Sequence, residues 1–229
     1  KKVSEEEIPF EIPKSWKWVR LGEVTNYGEV QTIKPQNISS DVWVLELVDI
    51  EKESSVLLEK VLNKTRKSKS TKKIFHEGDV LYGKLRPYLK KVIVATGKGV
   101  CSTEIVPFKA YKGIIPQYIA LFLKAPAIDF IINNTTHGMD MPRLGKQAAR
   151  NLSFPLPPLA EQKRIVDKLE DLMPYVEQYG EAHSKLKELN KNFPEDMQKA
   201  ILQYAIQGKL VEQREEEGTA EKLYKEIQK

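Results

Sequence analysis

The stretch F-P-L-P-P-L-A-E-Q-K-R-I-V, residues 154–166, divides this 229-residue chain into two regions of different character. Before it, short apolar runs alternate with turn residues, a texture typical of a mixed domain of strands and helices. After it, apolar residues recur at coiled-coil spacing. We therefore expect the stretch to join a folded domain to a long helix.

Two apolar series with a seven-residue period run through the region after Pro158. Steps of four and three residues connect them, as at the a and d positions of a coiled coil, and two polar residues, His183 and Asn190, interrupt the second series. One helix cannot bury such a stripe alone, so the pattern predicts a partner helix. The residues expected to contact that helix, called the seam below, are Ile165, Leu169, Leu172, Val176, Tyr179, Leu186 and Phe193.

Prolines and a threonine predict where the helices of this region are interrupted. Pro174 removes one backbone hydrogen bond and predicts a kink or a break. Pro194 predicts the start of a second helix, which would end at Gly208. In the acidic tail, Thr219 is placed to cap a short terminal helix.

The region before the junction has a mixed pattern. Strand character is concentrated at residues 42–50, 80–82, 91–95 and 105–108, and a last short strand is expected at 152–154. Pro116 is placed to begin a helix, and residues 114–132 resemble one amphipathic core helix. The predicted fold class is α+β: one mixed α/β domain over residues 1–155, a long coiled-coil-forming helical spacer over 156–208 and a charged tail over 209–229.

Positive charge is concentrated in one segment of the domain. Residues 60–91 hold eleven Lys or Arg against two acids, a net charge of +9, whereas the whole chain carries +5. Such a segment attracts polyanions through the release of counterions. A solvated lysine-rich loop is the alternative interpretation.

The single cysteine and the apolar content limit where the protein acts. Cys101 excludes an intramolecular disulfide framework and fits a reducing, cytoplasmic location. The most apolar segment, residues 114–132, contains Lys124, Asp129 and two prolines, so we expect no membrane span.

Motifs for catalysis are missing from the sequence. The single Pro-Pro pair lies between Leu156 and Leu159, without the Asn or Asp that an adenine methyltransferase needs, and no phosphate-binding loop is present. One cysteine and three scattered histidines do not form a zinc motif. Cys101 is interpreted as a buried structural thiol and not as a nucleophile. No spacing singles out a nuclease site of the Asp…Glu-x-Lys type, although acids and lysines abound. We expect neither catalysis nor a cofactor in this chain.

Four motifs, in order, resemble the specificity subunit of type I restriction–modification systems, or one half of it. The lead-in I-P-F-E-I-P-K-S-W-K-W-V-R-L-G-E-V is similar to the start of that family's target-recognition domains. G-D-V-L-Y-G-K-L-R-P-Y-L-K-K-V with C-S-T-E-I is similar to their internal motif. P-L-P-P-L-A-E-Q-K-R-I-V and A-I-L-Q-Y-A-I-Q-G-K-L-V-E-Q are similar to the family's spacer. These motifs occupy residues 8–24, 78–92, 101–105, 155–166 and 200–213.

The resemblance implies a sequence-specific DNA-recognition subunit without catalytic activity. It would read one half of a bipartite site in double-stranded DNA, and its spacer helix would hold the methyltransferase and restriction subunits. S-adenosylmethionine is expected on the methyltransferase subunit only. A complete specificity subunit is similar to two such units in tandem with antiparallel spacers. This chain has one domain and one spacer, so we expect either a natural half-subunit that forms a homodimer or an excised half.

Candidate DNA contacts fall in three segments of the domain. Arg86 could read a guanine edge or grip a phosphate, or it could serve the fold, because its motif is shared by family members that read different sequences. The lysine-rich segment at 64–70 is expected to contact phosphates, or to be flexible until DNA arrives. In the loop just before the spacer, His137 and Arg143 could contact base edges or phosphates, or could serve loop structure only. The candidates are Lys64, Arg66, Lys67, Lys69, Lys84, Arg86, Tyr88, Lys90, His137 and Arg143.

At the start of the spacer, Leu159, Glu161, Gln162 and Arg164 are interpreted as structural or methyltransferase-docking groups. An alternative function from a different class is a non-catalytic coiled-coil scaffold that binds nucleic acid without sequence choice.

Overall fold

The structure is a computed structural model and describes residues 3–4, 7–136 and 141–228. The chain divides into two compact units, Lys1–Leu169 and Glu170–Lys229. In the described residues, no helix is both long enough and apolar enough to cross a membrane.

Three small sheets form the framework of the first unit. The described strands are β1 Lys17–Arg20, β2 Thr32–Ile33, β3 Trp43–Leu45, β4 Lys72–Phe75, β5 Val80–Gly83, β6 Val92–Val94, β7 Gly99–Cys101, β8 Ile105–Phe108 and β9 Ser153–Leu156. One sheet has the order β2-β4-β7-β3, a second has the order β6-β5-β8, and β1 pairs with β9. All pairings are antiparallel except that of β3 with β7.

The helices are mostly short before the junction and long after it. They are α1 Leu21–Val24, α2 Asn63–Arg66, α3 Pro116–Lys124, α4 Pro126–Thr135, α5 Lys146–Asn151, α6 Leu159–Ile206 and α7 Ala220–Ile227. Short 3-10 turns occur at Pro35–Asn37, Leu47–Asp49, Pro87–Leu89 and Glu215–Glu217. A mixed domain followed by a long helix confirms the predicted fold class.

Alternation along β5 explains how the core of the first unit is layered. Successive side chains of a strand point to opposite faces. Val80 and Tyr82 join a core shared with α3 and α4, whereas Leu81 joins a second core that contains Trp43 and Phe75 of the four-stranded sheet. The three-stranded sheet is therefore packed between the helices on one face and the four-stranded sheet on the other.

The predicted strands are found, with shorter bounds in several places. The run at 105–108 coincides with β8, while the run at 42–50 is a strand only at Trp43–Leu45 and then turns into a 3-10 helix. The single core helix predicted over 114–132 is wrong. The chain is extended at Ala125, and Pro126 begins α4 as a separate helix, because the residue before a proline is driven out of the helical conformation.

Pairing of β1 with β9 closes the first unit. Lys17 lies opposite Leu156 and Arg20 opposite Ser153. The lead-in to the domain and the strand just before α6 therefore belong to one ribbon, an arrangement that the sequence did not reveal.

In the second unit, α6 continues to Ile206 and α7 follows after a short irregular segment. The prediction that Pro194 begins a second helix is wrong, since both Pro174 and Pro194 lie inside α6. Each proline removes one backbone donor, and the hydrogen bonds on either side hold the helix together. Thr219 does precede α7, but its hydroxyl makes no capping hydrogen bond.

Candidate nucleic-acid interface

Two segments that are distant in sequence meet beside the three-stranded sheet. Leu85 and Arg143 form an isolated antiparallel bridge. The Arg86 N–H donates to the carbonyl oxygen of Pro142 at 2.8 Å, and the Leu144 N–H donates to that of Lys84 at 3.0 Å. The segments carrying three predicted DNA contacts, Lys84, Arg86 and Arg143, are thus joined through the backbone.

Arg86 has an exposed side chain on a strained backbone. Its φ of 50° and ψ of 63° lie in the left-handed region, which non-glycine residues rarely adopt. A residue before proline is ordinarily extended. Here the bond to Pro142 and the 3-10 turn that begins at Pro87 hold Arg86 in the left-handed region instead. Within the described part of the chain, the guanidinium has no ion-pair or hydrogen-bond partner.

Glu104 is a shared partner of the two other cations in this place. Its Oε2 atom lies 3.0 Å from Nε of Arg143 and 3.9 Å from Nζ of Lys84. Both pairs are partly exposed, so each contributes little to stability. Their effect is to hold two positive charges around one carboxylate.

A groove of about 340 Å³ opens beside this cluster. We call it the basic groove. It adds Lys73 and Lys146 to Lys84 and Arg143. Lys73 was part of the basic segment but was not singled out, and Lys146 lies outside that segment. The lining residues are Tyr27, Gly28, Val30, Lys73, Lys84, Val106, Arg143, Leu144, Gly145 and Lys146.

Two other predicted contacts are engaged in ion pairs inside the domain. Arg66 donates to Oδ1 of Asp49 at 2.7 Å, and the Asp49 side chain is only 6% exposed. Nζ of Lys90 lies 3.2 Å from Oδ2 of Asp129 on α4. DNA would have to compete with these carboxylates for both cations.

The three lysines around α2 are exposed on an ordered turn. Lys64, Lys67 and Lys69 make no ion pair in the described residues, and Lys67 ends the turn with a φ of 50°. Asn63 stabilises this turn, because its Oδ1 accepts from the Ser68 N–H and its Nδ2 donates to the carbonyl oxygen of Ile38.

Tyr88 and His137 are the two remaining candidates. Tyr88 is 45% exposed in the 3-10 turn after Arg86. His137 lies outside the described residues. DNA contacts by all ten candidates stay predictions.

Gln162 connects the start of α6 to the domain. It is fully buried. Its Oε1 accepts from the Ile115 N–H at 2.9 Å, and its Nε2 donates to the carbonyl oxygens of Gly113 at 3.2 Å and Pro157 at 3.0 Å. Its role in the fold is therefore structural, whereas Leu159 and Arg164 nearby are exposed.

The seam is divided between two environments. Ile165 packs against the core of its own domain, and Leu169 is half-buried. From Leu172 onward the seam is exposed, by 42% at Leu172 and 74% at Tyr179. The other exposed members are Val176, Leu186 and Phe193.

Cys101 is buried, and burial raises the pKa of its thiol to about 12, so the nucleophilic thiolate is strongly disfavoured. No group of His, Cys, Asp and Glu suited to hold a metal ion occurs in the part of the chain that is described.

Comparison with known proteins gives one consistent family. Residues 13–178 match the family described as Type I restriction modification DNA specificity domain. The chain is 25% identical over 224 residues to the specificity subunit of the type I restriction enzyme EcoDI from Escherichia coli. The match covers 93% of this chain and 46% of that subunit.

Two solved structures resemble the chain. The HsdS subunit from Thermoanaerobacter tengcongensis is 28% identical with a TM-score of 0.66, over 86% of this chain and 51% of that one. A chain from a type I R-M system, solved in work on complex assembly and conformational transition, is 25% identical with a TM-score of 0.70, over 84% of this chain and 50% of that one. The chain spans about half the length of the relatives it matches.

Proposed function

The chain belongs to the family of type I restriction modification DNA specificity domains, and from this we propose that it is a sequence-specific DNA-recognition unit of a type I restriction–modification complex. One recognition domain would read one half of a bipartite site in double-stranded DNA. The observation that carries the proposal is the meeting of Lys84, Arg86 and Arg143 from two distant segments. A solvated lysine-rich loop, the alternative interpretation, would not bring cations from two distant segments together.

Arg86 is the strongest candidate for direct contact with DNA in this proposal. Its side chain is exposed and unpaired in the described residues, while Lys84 and Arg143 share Glu104. A guanidinium can grip a phosphate or donate two parallel hydrogen bonds to O6 and N7 of guanine. The lysine turn at Lys64, Lys67 and Lys69 would add phosphate contacts at a second place.

The helical part would provide the partner contacts. We propose that the exposed seam on α6 pairs with an antiparallel copy of the same helix, so that two chains form a homodimer. A methyltransferase subunit would dock on this scaffold and would carry S-adenosylmethionine, and a restriction subunit would join it. The chain itself would bind no cofactor and act in the cytoplasm, where the DNA of the cell is accessible.

Competition between duplexes tests sequence recognition. A sequence recovered from a random duplex pool by binding to the full chain should remain bound when excess random duplex is added. A scaffold that binds nucleic acid electrostatically would be titrated away by the competitor. That result would contradict the proposal and favour binding without sequence choice.

A methylation assay tests the division of labour. The purified chain with S-adenosylmethionine should transfer no methyl group to DNA, and adenine methylation should appear once the methyltransferase subunit is added. Methyl transfer by the chain alone would contradict the non-catalytic role.

A further inference from the structure

Four cations from separate segments converge on the basic groove. Lys73 lies on β4, Lys84 follows β5, Arg143 lies in the segment before α5, and Lys146 begins α5. None of the described lining residues is acidic. Glu104 pairs with two of the four, so a clear excess of positive charge remains in the groove.

Lys73 is partly buried beside a second cation. Its Nζ atom donates to the carbonyl oxygens of Thr103 at 2.7 Å and Ile105 at 2.9 Å. Burial lowers the pKa of this lysine, and the charge of Lys84 lowers it further. A charged group that is partly desolvated next to another cation is stabilised by an incoming anion.

A glycine turn shapes the position of Lys146. Gly28 has a φ of +84°, and a Cβ atom added there would lie 2.6 Å from Cε and 2.7 Å from Cδ of Lys146. The missing side chain lets the alkyl stem of Lys146 cross the turn at close range. Lys146, an exposed residue, therefore lines the groove with its alkyl stem against this turn.

The chemistry of the lining favours a phosphate over a base edge. Three of the four cations are lysines, whose ammonium groups act as compact point charges suited to phosphate oxygens. Lysine can also contact O6 and N7 of guanine, but planar groups such as guanidinium and amides give base reading its fixed two-bond geometry. Among the described lining residues only Arg143 offers such a group, and Glu104 already engages it.

We propose that the basic groove binds a backbone phosphodiester of duplex DNA and anchors the duplex irrespective of its sequence. The inference rests on the proposed function, since it takes DNA as the ligand. It deepens that function by separating a general anchor, with Lys73 and Lys146 as new contacts, from the exposed Arg86.

The salt dependence of binding tests the groove through Lys146, which is exposed and whose side chain makes no hydrogen bond or ion pair in the described residues. With the full chain and a short random duplex, Lys146→Gln should reduce the slope of log K against log salt by about 0.9, the share of one phosphate. Affinity for a selected target should fall by the same factor as affinity for the random duplex. Lys146→Arg should restore the slope.

Lys112→Gln is the matched control, because Lys112 is also exposed in the first unit and lies outside the groove. An unchanged slope for Lys146→Gln, or a loss of affinity confined to one DNA sequence, would contradict phosphate binding in the basic groove. If the unsubstituted chain binds duplex without sequence preference and Lys146→Gln lowers the slope, sequence recognition is contradicted, whereas phosphate binding in the basic groove is supported. If the unsubstituted chain binds no duplex, both fail.

Discussion

Arg86 combines an exposed guanidinium with a backbone conformation that costs a non-glycine residue about 1–2 kcal/mol. Strain of this kind persists where the surrounding structure imposes it, and it is concentrated at functional sites. Here the bond to Pro142 and the turn at Pro87 impose it. The conformation therefore supports a role for the side chain beyond the fold.

Two substitutions at Arg86 separate stability from DNA binding. Arg86→Gly should raise the free energy of unfolding by about 1 kcal/mol, because glycine adopts positive φ without strain. The same variant and Arg86→Ala should both bind DNA more weakly, because each removes the guanidinium. Denaturant titration and a duplex-binding assay measure the two effects.

Lys225→Ala serves as the control for charge removal, since Lys225 lies on α7 and pairs with Glu221. An equal loss of DNA affinity in Lys225→Ala would remove the case for Arg86. A stable Arg86→Gly variant that binds as well as the unsubstituted chain would do the same.

Gln162 is the residue whose loss should damage the fold most directly. Gln162→Ala would remove the partner of the Ile115 N–H and of the carbonyl groups of Gly113 and Pro157, of which the Pro157 bond is buried, at a cost of about 3 kcal/mol. Urea unfolding followed by tryptophan fluorescence reports on the first unit, because all three tryptophans lie there. Lys163→Ala, an exposed neighbour, should leave the unfolding midpoint unchanged. Equal midpoints for Gln162→Ala and Lys163→Ala would show that the hydrogen bonds of Gln162 do not hold α6.

Sequence patterns at this scale identified residue types but not their partners. The basic segment pointed to Arg66 and Lys90, yet Asp49 and Asp129 come from elsewhere in the chain and engage them. Lys146 lies outside the basic segment at 60–91, and its alkyl stem lies against the turn at Gly28. Contacts between distant segments decide which cations are available.

At the scale of elements, α6 carries two kinds of apolar surface. Its first turns bury Val166 and partly bury Ile165 against the domain. Beyond Leu169, large apolar side chains remain exposed along the seam. Contiguous exposed apolar surface of this kind marks an interaction site, and the heptad spacing fits a second helix.

Charge placed on the seam should prevent self-association. Leu172→Glu or Leu186→Glu would require a carboxylate to be buried between helices, so either variant should be a monomer at concentrations where the unsubstituted chain is a dimer. Analytical ultracentrifugation measures the mass. Gln178→Glu introduces the same group on the opposite face of the helix and should leave the dimer intact. A seam variant with the mass of the unsubstituted chain would contradict pairing through this surface.

Periodicity predicted the elements better than it predicted their ends. Short continuous apolar runs located β5, β6 and β8, because each of these strands serves two cores and is apolar on both faces. The seven-residue repeat located α6. The break at Ala125 and the continuation through Pro194 were missed, because a proline can either start a helix or be absorbed within one. Tertiary packing decides between these outcomes.

At the scale of the whole molecule, the chain provides one mixed domain and one long helix, and it spans about half the length of the relatives that it matches. If two copies pair through antiparallel helices, the two domains are identical and related by a two-fold axis. Identical domains read identical half-sites in inverted orientation, and the helices set a fixed spacing between them.

Selection of bound sequences from a random duplex pool tests the account most directly. The full chain, alone and with a methyltransferase subunit, is incubated with the pool in the presence of polyanion competitor, and the bound duplexes are sequenced. If two copies each read one half-site, one short motif should be enriched, present as an inverted repeat at constant spacing. A bound pool with the same composition as the input would contradict recognition of sequence by this domain.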